Sequence, residues 1–373
     1  MTDKQALRVG IAGAGGVAFG TAALLMQNGH HATLWSPSGK STTDLAAGAP
    51  LVATGAIDGQ FAPSVATSAA DLVGQSDVLL LALPGYGHKA VMDALAPHIR
   101  ADQAVIISSH ASLGALYLAG LLAARGITVP VIAWGTTVTT GRRTSPTEVK
   151  VNTVRSLIDL CTVPDTRAAD GLALCETLFG DRFMQRDGLL AISLSNLNPQ
   201  NHLGIALGNI TRMERGEVWS QGQNVTPLVG RLLEELDRER LAIAKTLGLS
   251  VRTIFEHFHL SFHVPVDTIS AMNQEMHRLG NGGIGPATAD TRYVTEDVPY
   301  GLVLTAQLGD LVGCPAVLHK AGIAIFSAMY GRDFTAENTL LNAIGLDRYS
   351  LRDLQQAAKT GLLPHPAPAA QCA

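Results

Sequence analysis

The segment that most restricts what this chain can become is Gly13-Ala14-Gly15-Gly16-Val17-Ala18, set between the apolar run at 7–12 and a helical pattern. Glycines there let the backbone turn tightly after a strand and bring its N–H groups close to a phosphate, which then rests at the positive end of the following helix. A Gly-x-Gly-x-x-Ala string alone means little. Here a strand precedes it, a helix follows, and a second strand candidate at 31–35 comes after Gly29, which completes a βαβ unit. The expectation is a dinucleotide held at Gly13, Gly15, Gly16 and Ala18.

The alternation continues. Apolar, β-rich runs at 7–12, 31–35, 77–83, 103–108 and 129–134 are separated by helical periodicities at 19–28, 68–73, 90–99 and 113–124. Beyond about Gly188 the texture changes to long helical patterns at 226–247, 268–279 and 299–311. The expected fold class is an α/β N-terminal Rossmann domain with a mostly parallel, doubly wound sheet over residues 1–188, followed by an all-α substrate and catalytic domain over 189–373. With 373 residues and 47% hydrophobic content, the chain has material for two cores.

Composition narrows the partners. Charged residues make up only 16% and the formal net charge is -4, so no cationic excess is available for nucleic acid or an anionic membrane. A small molecule fits better. Residues 104–124 are apolar, but Ser108, Ser109 and His110 interrupt them, as in a buried strand and helix and not a membrane span. The N-terminus lacks the order of basic, apolar and small residues of a secretory signal, so a cytoplasmic location is expected. Cys161, Cys175, Cys314 and Cys372 form no Cys-x-x-Cys pair, which argues against a zinc site or a disulfide framework. His259 and His263 are spaced i, i+4, but neither Glu nor Cys sits beside them as in a zinc motif, and no metal is expected.

The identity of the dinucleotide is decided where the second strand ends, because a carboxylate there would bind the adenosine ribose. The stretch reads Trp35-Ser36-Pro37-Ser38-Gly39-Lys40-Ser41, with no acid before Asp44. Ser36, Ser38 and Lys40 offer hydroxyls and a positive charge to a 2′-phosphate, so NADPH is expected, with NADH as the alternative. Pro84 closes the third strand at the carboxyl edge of the sheet, where ligands of open α/β folds lie, and is a further cofactor-lining candidate.

Two segments of the second half carry polar residues in an unusual setting. In Asn198-Pro199-Gln200-Asn201-His202, Pro199 marks a first helical turn and Asn198 shares a face with His202; Asn209 follows further along the same stripe. In Arg292-Tyr293-Val294-Thr295-Glu296-Asp297-Val298-Pro299, Asp297 precedes the helix that Pro299 opens. A carboxylate beside an imidazole fixes the tautomer and lets the histidine pass a proton to a carbonyl or imine while hydride arrives. Simple helix capping by Asp297 is the competing reading. Arg292 has the planar fork that clamps a substrate carboxylate. Glu234, Glu235 and Asp237, with nearby arginines, read as a solvated helix face.

On the phosphate loop, Leu194-Ser195-Asn196-Leu197-Asn198 with His202, Asp237-Arg238-Glu239-Arg240, and Arg292-Tyr293 with Glu296-Asp297-Val298-Pro299-Tyr300-Gly301, nearly the whole chain resembles the opine dehydrogenases, the octopine and nopaline dehydrogenase family. The resemblance implies a helical domain of that type, a His202–Asp297 dyad, substrate positioning by Asn198, and a keto-acid carboxylate on Arg292. It implies reductive condensation of a 2-oxo acid with an amino acid or amine, through an imine reduced by NADH or NADPH, in a homodimer. The chain departs from the family at Gly16-Val17-Ala18, where many members read Asn-Gly-Gly, at Thr291 for a common His, and at Leu203 for a common Pro. Arginine-using members resemble this stretch but carry a Glu near Trp134 that is missing here, so the resemblance implies an apolar or small amine donor in place of arginine, in a pocket made apolar by Trp134. The alternatives are an imine reductase or amine dehydrogenase of the same fold, a ketopantoate-reductase-like carbonyl reductase, which would usually employ a lysine, and a non-catalytic NADPH sensor.

Overall fold

The computed structural model describes residues 6–364; Cys372 lies outside them. The described residues divide into two compact units, one comprising residues 6–193, 343–345 and 352–364, the other 194–342 and 346–351. The first is α/β and the second helical, the fold class expected from the sequence.

The strands of the first unit are β1 (Arg8–Ala12), β2 (His31–Trp35), β3 (Leu51–Gly55), β4 (Gly59–Phe61), β5 (Ser64–Val65), β6 (Val78–Leu81), β7 (Ala104–Ile107), β8 (Val131–Trp134), β9 (Thr139–Ser145), β10 (Glu148–Val154), β11 (Ile158–Val163) and β12 (Phe183–Gln185). Eight form one sheet in the order β5-β2-β1-β6-β7-β8-β11-β12. It is parallel except where β11 meets β8. Strands β6, β7 and β8 are buried at every residue, which explains their unbroken apolar runs. The chain leaves β1 for β2 on one side and later returns to β6 on the other, so strand order reverses at β1. A crevice outside the carboxyl ends of β1 and β6 is the ligand site such a reversal creates.

A second, four-stranded sheet in the order β4-β3-β10-β9 was not anticipated. Its strands bury only alternate residues, such as Val149 and Val151, and their remaining polar side chains read as loop. Through Thr139 and Gly141 of β9 this sheet packs on the helix Gly16–Gln27.

Trp134 requires a correction. It is 0% exposed, its indole N–H faces the Cys175 sulfur at 3.4 Å, and its ring packs against Phe179 and Phe183 at 5.3 and 5.2 Å. A side chain so enclosed is core of the α/β unit and cannot line an amine pocket.

The second unit is organised about the 20-residue helix Pro227–Thr246, whose Leu233, Leu236 and Ile243 are buried. The solvated-face reading fails for Asp237, which is 2% exposed and faces the equally buried Arg240. The guanidinium reaches Asp237 Oδ1 at 3.0 and 2.7 Å and the carbonyls of Leu194 and Arg252 at 2.5 Å. Asp237 also accepts from Gln200 Nε2 at 2.8 Å and from the Ile254 N–H at 2.9 Å. With both Asp237 oxygens and all three guanidinium nitrogens of Arg240 engaged, the buried charges hold the start of the His202 helix against its neighbour. Among the described residues no helix is long and apolar enough to cross a membrane.

Candidate active site

In the α/β unit, Gly13 follows β1 with φ 138 and donates its N–H to the Trp35 carbonyl at 2.8 Å. A Cβ there would lie 2.2 Å from the Ala82 carbonyl oxygen, so only glycine permits β1 and the end of β6 to approach so closely. The helix Gly16–Gln27 has Gly15 as N-cap, no side-chain cap and no acid in its first turn. Nothing lies within 4 Å of a Cβ built at Gly15. Free amides, a positive helix end and open space in front of them fit a dinucleotide pyrophosphate.

Gly16 and Ala18 serve this cradle from behind. Gly16 lies against the Gly141 and Arg142 backbone, and Ala18 is wholly buried beneath the loop. A residue the sequence did not single out, Arg143, grips the loop: Nη1 donates to the Ala14 carbonyl at 2.9 Å while the guanidinium lies 4.6 Å from the Phe19 ring centre. Its signal was hidden because β9 itself was not recognised. Beyond β2, the Ser36 and Ser38 hydroxyls are 3.5 Å apart, Gly39 is left-handed, and the exposed Lys40 opens a short 3-10 turn. Pro84 is exposed at the start of the helix Gly85–Leu95, a second helix end without a side-chain cap.

In the helical unit, His202 lies in the second turn of the helix Asn198–Glu214. Its Nδ1 is 2.6 Å from Asp297 Oδ2, and Asp297 is 5% exposed. Asp297 is the N-cap residue of the π-helical turn Val298–Leu302 yet makes no side-chain cap bond, so the capping reading gives way to a carboxylate directed at the imidazole. Gly301 makes this meeting possible, since a Cβ there would lie 2.2 Å from Pro199 Cγ. Asn338 Nδ2 donates to the Pro299 carbonyl at 2.7 Å, and the Tyr300 hydroxyl to the Glu337 carbonyl at 3.0 Å, which fixes the π turn.

Arg292 Nε stands 4.0 Å from Asp297 Oδ2 and 3.7 Å from Glu296 Oε2, with its side chain 55% exposed. Asn198 is exposed one helical turn before His202. The structure therefore brings His202, Asp297 and Arg292 together, with Asn198 nearby on the same helix. Asn209 is different: it sits at a kink and donates to the Ile205 carbonyl at 3.0 Å, a structural use. Tyr293, missed as a site residue, stacks on the His202 ring with centroids 3.5 Å apart. Among the described residues, the hydrogen bond seen for the His202 ring is the one at Nδ1, and none is seen at Nε2.

Residues 185–330 match the family model described as the NAD/NADP octopine/nopaline dehydrogenase alpha-helical domain, and residues 9–159 match that of ketopantoate reductase PanE/ApbA. An opine dehydrogenase of Arthrobacter sp. (strain 1C) is 29% identical over 353 residues, 93% of this chain and 97% of that protein. Octopine dehydrogenase in complex with NADH and agmatine aligns with TM-score 0.79 at 15% identity, over 95% of this chain and 98% of that one. Yersinopine dehydrogenase with NADP+ bound aligns with TM-score 0.68 at 17% identity, over 91% and 98%. At these identities the structural likeness is one of fold. With the helical-domain match and the near full-length relative, the resemblance read from the sequence stands: the chain is similar to the opine dehydrogenases over nearly its whole length and is an NAD(P)-dependent oxidoreductase.

Proposed function

We propose that the chain joins a 2-oxo acid to the amino group of an amino acid or amine and reduces the resulting imine, with His202 moving the protons. The observation that carries this reading is the contact of His202 Nδ1 with Asp297 Oδ2 at 2.6 Å, with Arg292 Nε 4.0 Å from the same oxygen. When bound at the Gly13–Gly16 cradle, the nicotinamide supplies hydride.

Asp297 accepts from Nδ1–H and so keeps the proton-exchanging lone pair on Nε2. His202 takes a proton from the substrate ammonium, freeing the nitrogen lone pair to attack the keto carbon. It returns that proton to the carbinolamine hydroxyl, which leaves as water while the C=N bond forms. Reduction of the imine carbon would give a secondary amine, with two carboxylates when the keto acid and the amine partner each bring one. Arg292 holds the keto-acid carboxylate by paired N–H bonds, and Asn198 orients the substrate on the same helix face.

The cofactor-binding part of the proposal rests on Gly13, Gly15, Gly16 and Pro84 at the sheet edge, with Ser36, Ser38 and Lys40 favouring NADPH over NADH through its 2′-phosphate. Ketopantoate-type carbonyl reduction, raised by the match over 9–159, would ordinarily call for a lysine where this polar stripe presents His202. Pyruvate, glyoxylate and oxaloacetate crossed against amino acids and alkylamines, with NADPH oxidation followed and the product weighed by mass spectrometry, test the proposal. A product of keto acid plus amine less one oxygen supports it. Oxidation of NADPH by the keto acid alone, yielding a hydroxy acid, would overturn it.

A further inference from the structure

We propose that Tyr293 is a positioning residue for His202, its ring fixing the plane in which Nδ1 meets Asp297 and Nε2 meets the substrate. The two rings are nearly parallel, 10° between planes, with centroids 3.5 Å apart. Aromatic side chains more often pair edge-on or at about 4.5–7 Å, so a face-to-face contact this close acts as a clamp on the imidazole. The Tyr293 hydroxyl donates to Gln221 Oε1, which anchors the clamping ring from the 220s loop.

The geometry explains why a second support is needed. The Asp297 bond fixes one ring atom and leaves the imidazole free to swing about that contact; a flat neighbour against its face removes the swing. The other charges near the imidazole are accounted for: Arg292 and Glu296 face each other at 3.7 Å, and on the adjoining long helix Asp237 and Arg240 are matched at 2.7 Å. Tyr293 is thus the neighbour left to control ring orientation without adding a charge.

This inference rests on His202 as the proton-transfer group, and the test separates the two. In the full-length protein, Tyr293→Phe, Tyr293→Leu and Tyr293→Met are compared by steady-state kinetics and by the low-field proton NMR signal of the His202 Nδ1–H, assigned by its loss in His202→Gln. Methionine fills much of the volume without a flat face and serves if the leucine variant fails to fold. Phenylalanine should keep the signal and hold kcat within about threefold, whereas leucine or methionine should lose or broaden it and lower kcat about 10- to 100-fold with NADPH KM unchanged. A wild-type signal and kcat in Tyr293→Leu or Tyr293→Met would overturn the proposal. So would a loss in Tyr293→Phe as large as in Tyr293→Leu, since the hydroxyl would then carry the effect. If His202→Gln retains full activity, the mechanism fails, but the low-field signal in the Tyr293 variants still reports whether the stack orients the ring.

Discussion

His202 and Asp297 are separated by 95 positions in the chain and meet with 2.6 Å between Nδ1 and Oδ2. The carboxylate forgoes the helix-capping bond open to it at the head of the π turn. An Asn at 297 would preserve the shape but present an amide able to stabilise the wrong imidazole tautomer. Asp297→Asn is expected to lower kcat by about 10²- to 10⁴-fold with little change in cofactor affinity. Steady-state kinetics beside a fluorescence titration of NADPH would check this; near-normal kcat would make Asp297 a structural residue.

Arg292, more than half exposed and within 4.0 Å of Asp297, is placed to hold a carboxylate with its planar fork. Arg292→Lys keeps the charge and loses the paired bonds. The KM for the 2-oxo acid should rise about tenfold or more, with a smaller change in kcat, since a single-point ammonium replaces two-point binding. An unchanged KM would remove Arg292 from the substrate site.

Lys40 stands exposed past the end of β2, in a stretch without a carboxylate. Lys40→Glu should weaken NADPH by about tenfold or more and leave NADH nearly unaffected, because only the former carries the 2′-phosphate. Competition titrations with the two cofactors decide it, and equal losses for both would contradict the assignment.

His88 and His110 are buried in the α/β unit, where loss of solvent pushes their pKa values down to about 4 and about 3. Both are neutral when folded, while the unfolded chain protonates them near the ordinary histidine value of about 6.5. The unfolded state therefore binds more protons below that value. Their contribution to stability is fully present above about pH 6.5 and is lost as pH falls towards about 4 for His88 and about 3 for His110. Each should cost about 2 kcal/mol at pH 5 relative to pH 7. Urea unfolding at both pH values should show a smaller acid loss in His88→Asn than in the wild type; identical losses would mean that the residue does not titrate on unfolding.

The parts of this molecule legible in sequence are those whose residues respond to a single constraint. Strands β6, β7 and β8 are buried on both faces and appear as unbroken apolar runs, and the Gly13 turn follows from backbone geometry alone. The second sheet was invisible because β9 and β10 mix exposed polar residues with a few buried ones, and Arg143 was missed with it. Asp237 and Arg240 looked like surface charges, since only three-dimensional packing supplies the carbonyls and amides that satisfy them. Trp134 misled for the opposite reason: a large ring at the end of a strand suits either a pocket or a core, and Phe179 and Phe183 make it core. Residue type and family resemblance pointed to His202, Asp297 and Arg292 as a group, but the stacking of Tyr293 depends on a spatial coincidence that no local pattern records.

The central claim is that His202 carries the protons of an imine-forming reduction. Its most direct test is the kcat of His202→Ala with a keto acid and amine pair turned over by the wild type, measured beside NADPH affinity. Turnover should fall about 10²- to 10⁴-fold with NADPH affinity unchanged. Full turnover in the variant would contradict the account.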